Sequence, residues 1–284
     1  MRARSARVVE QPANAYDYRA EPRARPSGCG APSATAGADN VLRMPDDLPD
    51  PPAAPSQRRR TLRPRDAATL ILVRRDRVEP EVLMGHRSAR HVFMPNTFVF
   101  PGGRVDPEDA RVPVATPLRP AVAERLHRNA TPTRARALAL AAIREAFEET
   151  GLLIGRPAAD VDPERVPASW RPFFEQGIAP ALDVLDYVFR AITPPGDVRR
   201  FHARFFIADA RHVQGEIRGS GELLDLQWIP IEHAIAMPNT PGITSLVLQE
   251  VRRLLAHTDP MELPAAHRVP VYRSLYRREV VSYD

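Results

Sequence analysis

Thr131-Pro132 and Gly151 bracket the stretch that most constrains this chain. A threonine cap followed by proline at the first helical position starts a helix, and a glycine stops one. Within that span Glu148 and Glu149 follow Glu145 by three and four residues, so at about 100° per residue the three carboxylates project within roughly one quadrant. Arg144 reaches Glu148 at i+4 and offsets part of the repulsion, but three acids against one base leave a negative patch. Leu140, Ile143 and Phe147 fall on the opposite side, which predicts a helix with one buried face and its acids turned outward. Clustered hard oxygen ligands suit Mg²⁺ or Mn²⁺, which bind carboxylates together with substrate phosphates. A solvated acidic face is the alternative reading.

Composition limits how much of the chain can fold around such a helix. Residues 1–65 contain ten prolines and few aliphatic side chains, too little apolar surface to offset ordering entropy. The expected organisation is a disordered Pro/Ala/Arg-rich tail over 1–62, a folded domain over 63–260 and a C-terminal extension of uncertain structure over 261–284. The tail also carries the charge: residues 1–65 hold 12 Arg and 7 acids, and residues 66–284 hold 28 of each, so the net charge of +5 lies in the tail (12 − 7). A neutral domain with no recognition-helix module gives no reason to expect a nucleic-acid partner. Every basic side chain is arginine, so phosphate recognition falls to planar, bidentate guanidinium groups. The single Cys29 excludes a disulfide framework and a cysteine zinc site. No segment reaches the ~18 apolar residues of a membrane span, and neither a signal-peptide core nor a peroxisomal tripeptide is evident. Cytoplasm is the expected location, with no membrane partner, and Met44 is an alternative start.

Strand-like apolar runs occupy Ala67 to Arg74 and Glu81 to Gly85, and Phe98 to Phe100 leads into a Gly102-Gly103 turn. After the acidic helix, Asp186 to Thr193 and Arg204 to Ala208 read as strands joined by a turn through Pro194-Pro195-Gly196-Asp197. Leu223 to Ile229 reads as another strand, Ile231 to Ala236 as a helix, and Thr240-Pro241 through His257 as a longer one. Residues 156–185 are weakly patterned and predict an excursion containing helix. His86, His91, His202 and His233 occur singly at no metal spacing and read as structural.

Read together, Phe100-Pro101-Gly102-Gly103 and Arg144-Glu145-Ala146-Phe147-Glu148-Glu149-Thr150-Gly151-Leu152 resemble the Nudix hydrolase signature, Gly-x5-Glu-x7-Arg-Glu-U-x-Glu-Glu-x-Gly-U, with U a bulky aliphatic residue. Ala146 departs at the first U, and Asp109 stands where the family has Glu. Asp109 and Arg144 are separated by 34 residues (144 − 109 − 1) where the pattern has seven, which predicts an insertion over 110–132, a loop with one short helix near Ala121 to Asn129. The resemblance implies an α/β fold, an α-β-α sandwich around a central mixed sheet.

It also implies Mg²⁺- or Mn²⁺-dependent hydrolysis of a small-molecule diphosphate. Glu148 and Glu149 match the family's main metal ligands, Glu145 a further ligand or general base, Arg144 their orienter, and the Gly102 carbonyl another ligand. Glu222, amid Gly219-Ser220-Gly221, is a further acid able to complete the metal set, with Asp225 as its competitor. Arg87-Ser88 upstream of the paired glycines, and Asp106 after them, are similar to enzymes that cleave coenzyme A and acyl-CoA, although His91-Val92, Met94 and Asn96 depart from that pattern. The insertion and the arginines around Arg200 and Arg204 look more like the acyl-CoA diphosphatase branch, Nudix type 19-like. On that resemblance Arg87, Gly103 and Arg200 contact substrate. ADP-ribose, a nucleotide sugar, an oxidised nucleotide, or a catalytically silent binding module are the alternatives, and a homodimer is left open.

Overall fold

A computed structural model describes residues 63–87, 96–195, 199–257, 259–275 and 278–284. The tail over 1–62, Ser88, His91, Val92, Met94 and most of the turn beyond Pro195 lie outside the described residues.

The strands are β1 (Arg65–Arg74), β2 (Glu81–Arg87), β3 (Phe98–Val99), β4 (Gly102–Arg104), β5 (Leu153–Pro157), β6 (Ile178–Pro180), β7 (Asp186–Ile192), β8 (Phe201–Asp209), β9 (Val213–Gln214), β10 (Leu223–Pro230), β11 (Pro270–Leu275) and β12 (Arg278–Tyr283). The helices are α1 (Pro120–His127), α2 (Pro132–Thr150), α3 (Arg171–Phe174), α4 (Ile231–Ala236) and α5 (Gly242–His257). The main sheet runs β10-β2-β1-β8-β7-β11-β12, with β3 on β2 and β4 on β1; β6-β5-β9 form a smaller sheet. β1 and β8 are parallel and most other pairs antiparallel, giving the expected mixed sheet.

Alternation along β1 divides the core in two. Ala68, Leu70 and Leu72 pack with α1 and α2 on one face. Ile71 and Val73 pack on the other with Val247, Val251 and Leu254 of α5. A strand buried on both faces reads as the continuous apolar run seen in the sequence. The result is the predicted α-β-α sandwich. The segment after residue 260 adds β11, parallel to β7, and β12 to the same sheet.

One edge of β1 carries β8 along its whole length, while the other is shared. β2 pairs there only at Val73 and Arg74, and β4 takes Ala67 to Thr69. β2 therefore diverges from β1, and the Gly102-Gly103 turn enters the gap. A Cβ on Gly102 would lie 2.7 Å from the Ala68 carbonyl oxygen, so only glycine lets the chain pass here.

Candidate functional site

α2 begins and ends as its sequence predicts. The Thr131 side chain accepts from Arg134 N, and Gly151 closes the helix in the left-handed region at φ 74°. The acidic face, however, does not turn outward. Glu148 is exposed, but Glu145 is half-buried and Glu149 is only 3% exposed. The correction has a simple cause: the Gly102-Gly103 turn packs over this face, and helical periodicity cannot register what packs from across the fold. Ala146, where the Nudix pattern has a bulky residue, is buried in the core beneath α2.

Arg144 is the centre of the arrangement and is itself buried. Its Nε donates to Asp109 Oδ1 at 3.0 Å, Nη1 to Glu145 Oε1 at 2.9 Å and Glu148 Oε2 at 3.1 Å, and Nη2 to the Arg104 carbonyl at 2.9 Å and Asp109 Oδ2 at 3.2 Å. The 34 intervening residues thus loop away while Asp109 returns to Arg144. Between them lie a 3-10 turn, Asp109–Arg111, and α1. That short helix is the one expected near Ala121 to Asn129.

Glu149 accepts from Gly102 N–H at 2.8 Å. Burial pushes its carboxyl up to about 8, opposed by that N–H and reinforced by the neighbouring Glu145 charge. Burial likewise raises Glu145 to about 7 against the pull of Arg144, and Glu148 is raised as well. A Cβ on Gly103 would come within 2.3 Å of a Glu145 oxygen, so the glycine makes room for that carboxylate.

Among the described residues no three His, Cys, Asp or Glu side chains are gathered around one point. Glu145 and Glu148 turn instead to Arg144, and Glu149 to Gly102. Mutual repulsion favours this dispersal, since one guanidinium cannot neutralise three carboxylates. The donor set nevertheless fits a hard divalent cation: it is all oxygen, its acids outnumber the one guanidinium that serves them, and burial raises its carboxyls above their ordinary range.

The other expected residues divide. Arg87 and Glu222 both act on Glu149, Arg87 lowering its pKa and Glu222 raising it. Pairing of β10 with β2 sets Leu223 opposite Arg87, which brings Glu222 alongside. Among the described residues Arg87 Nε has no hydrogen-bond partner. Asp225 is exposed at φ 50° beside a register shift in β10. Arg200 directly precedes β8. Its Nε donates to the Thr193 carbonyl, and its own carbonyl accepts from Arg65 N at the start of β1, four residues from Thr69, the partner of Gly102. Four residues of strand span roughly 13 Å. For Gly102 the contact seen is its N–H, not its carbonyl.

Sequence reasoning missed Trp170, whose Nε1 donates to Asp109 Oδ1 at 2.9 Å, and the Arg104 carbonyl. The available signal was one of only two tryptophans in the chain, set three residues before Phe173-Phe174 in an otherwise weakly patterned segment.

No protein-family model and no curated protein matches the chain. The crystal structure of a NUDIX hydrolase from Alicyclobacillus acidocaldarius is similar over 70% of this chain and 98% of its own, at 25% identity and a TM-score of 0.52. A MutT protein from Bacillus halodurans (14% identity, 78% of this chain and 96% of its own, TM-score 0.41) is a looser likeness that bears on no functional detail. The same holds for an Ap4A hydrolase from C. elegans (17%, 68% and 98%, TM-score 0.38). The sandwich shared with the Alicyclobacillus acidocaldarius enzyme supports the Nudix superfamily for this chain, as a hydrolase acting on pyrophosphate bonds. Among the described residues no helix is long and apolar enough to cross a membrane.

Proposed function

We propose that this chain hydrolyses the pyrophosphate bond of a nucleoside diphosphate-linked substrate, with coenzyme A or acyl-CoA as the substrate class, using Mg²⁺ or Mn²⁺. The observation that carries this reading is the set of three glutamates on one helix, all with raised carboxyls, two held by Arg144 and the third by the Gly102 N–H. Glu148 and Glu149, with Glu145 and the Gly102 carbonyl, would hold the cation, and Glu222, whose charge bears on Glu149, would join them. When bound, the cation neutralises diphosphate charge, polarises phosphorus and lowers the pKa of water.

The protein's own residues do the rest. Arg144 fixes Glu145 and Glu148 through one nitrogen, Nη1, so these two carboxylates move together. Gly102 N–H holds Glu149. Arg87 supports the coenzyme A reading: its charge bears on Glu149, which sets a guanidinium beside the carboxylates where a substrate phosphate would sit.

A panel of CoA, acyl-CoA, ADP-ribose and a nucleotide sugar, assayed with each metal, tests the substrate class. CoA should yield 4′-phosphopantetheine and adenosine 3′,5′-bisphosphate, water being added across the P–O–P bridge. Turnover of ADP-ribose without turnover of either CoA substrate would refute the coenzyme A assignment and leave the pyrophosphohydrolase assignment standing.

A further inference from the structure

Asp109 is a wholly buried carboxylate that accepts four hydrogen bonds, and one of its donors comes from a segment with no assigned role. Oδ1 takes Arg144 Nε at 3.0 Å and Trp170 Nε1 at 2.9 Å; Oδ2 takes Arg144 Nη2 at 3.2 Å and the Asp106 backbone N–H at 2.8 Å. Trp170 and Asp109 are both 0% exposed. A buried carboxylate with fewer donors would pay for its lost hydration, so each of these bonds constrains where Asp109 can sit.

The constraint passes to Arg144. A guanidinium has five N–H donors in a rigid plane, and here all five are used. Nε and one Nη2 donor grip Asp109, the other Nη2 donor takes the Arg104 carbonyl, and both Nη1 donors grip Glu145 and Glu148. Because the plane is rigid, a rotation on the Asp109 side moves both glutamates. Asp109 is also one methylene shorter than the glutamate of the Nudix pattern, and therefore less able to reach Arg144 from a shifted backbone. Trp170 is in turn immobilised by ring contacts with Phe173 and Phe174, at centroid distances of 5.4 and 6.4 Å, and Phe173 meets Phe147 of α2 at 5.3 Å.

We infer that Trp170 is a positioning residue: its indole N–H clamps Asp109 and so sets the rotation of the Arg144 guanidinium that holds Glu145 and Glu148. The inference rests on the hydrolase reading above for its effect on turnover, but not for the clamp itself. Residues 163–174 thereby become part of the site's support.

The chain has two tryptophans, so a ¹H–¹⁵N spectrum carries two indole cross-peaks, and Trp170→Phe identifies one by its loss. That peak should move in Asp109→Asn, and the Arg144 Nε–H peak should move in Trp170→Phe; either peak staying in place overturns the clamp. Arg144→Lys gives a second background for the indole shift where Asp109→Asn fails to fold. In turnover, Trp170→Phe should lower kcat roughly tenfold with KM changed less than about twofold. Made in the Asp109→Asn background, it should cost less than about twofold more. Equal losses in both backgrounds would mean that Trp170 acts through packing alone, and would overturn the inference. If wild-type protein turned over no diphosphate, the hydrolase reading would fall, while the two cross-peaks would still decide the clamp.

Discussion

Two carboxylates and a missing methyl group govern the site at the scale of single residues. Alanine at position 103 would set its Cβ 2.3 Å from Glu145, and the flexible carboxylate would yield before the backbone. Gly103→Ala should therefore fold normally yet lose roughly tenfold or more in kcat, in keeping with the cost of small misplacements at reacting groups; matching circular dichroism spectra alongside steady-state rates check this. The raised pKa values give a second prediction. Glu145 and Glu149 stand at about 7 and about 8 against ordinary values of 4.5. A carboxyl whose folded pKa exceeds its unfolded one favours the folded state when protonated. Its contribution is fully present below the unfolded value and lost as pH rises through the folded one. His202, His212 and His267 are lowered from 6.5 by burial, so their cost is felt only below that pH. Between about pH 6.5 and 8.5 the glutamates thus dominate, and the Tm of metal-free protein should fall as pH rises. Glu149→Gln should flatten the slope, and Mg²⁺ should restore the Tm at the alkaline end. A wild-type Tm that rises across this window in EDTA would contradict the assigned burial.

Among the elements, α1 is held to the sheet by a buried ion pair. Arg125 donates to Asp186, both fully buried, while Arg119 Nη2 and the Leu263 N–H serve Asp186 Oδ2 at 2.7 and 3.3 Å. Asp186→Asn would strand the Arg125 charge in the interior and should cost about 3–5 kcal/mol in urea unfolding. A loss under about 1 kcal/mol would show that the pair does not anchor α1. The sequence made α2 legible because its cap, proline and terminal glycine are local signals, and β1 legible because a strand buried on both faces is a continuous apolar run. The burial of Glu149 was not legible, since it depends on where β2 leaves β1 and lets the glycine turn in. The position of Arg200 was not legible for a related reason: it follows from the parallel pairing of β8 with β1, and spacing along the chain carries no sheet register. Trp170 could not be assigned because the 3-10 turns around it have no strong periodicity.

Across the molecule, charge and chemistry are separated. The net charge of +5 lies within residues 1–65, whereas residues 66–284 balance 28 arginines against 28 acids. If the catalytic domain begins near residue 63, as its composition predicts, removing residues 1–62 should leave Tm and kcat unchanged; a large fall in Tm would place part of that segment in the fold. Within the described residues the sandwich brings the Gly102-Gly103 turn and Asp109 against α2, which lies well beyond them in the sequence. The most direct test is release of adenosine 3′,5′-bisphosphate from CoA by the full chain with Mg²⁺, compared with EDTA and with Glu149→Gln. Turnover that stops in EDTA and falls at least about a hundredfold in the variant is the expected result. Equal rates from wild type and Glu149→Gln would contradict a metal-dependent pyrophosphohydrolase built on this helix.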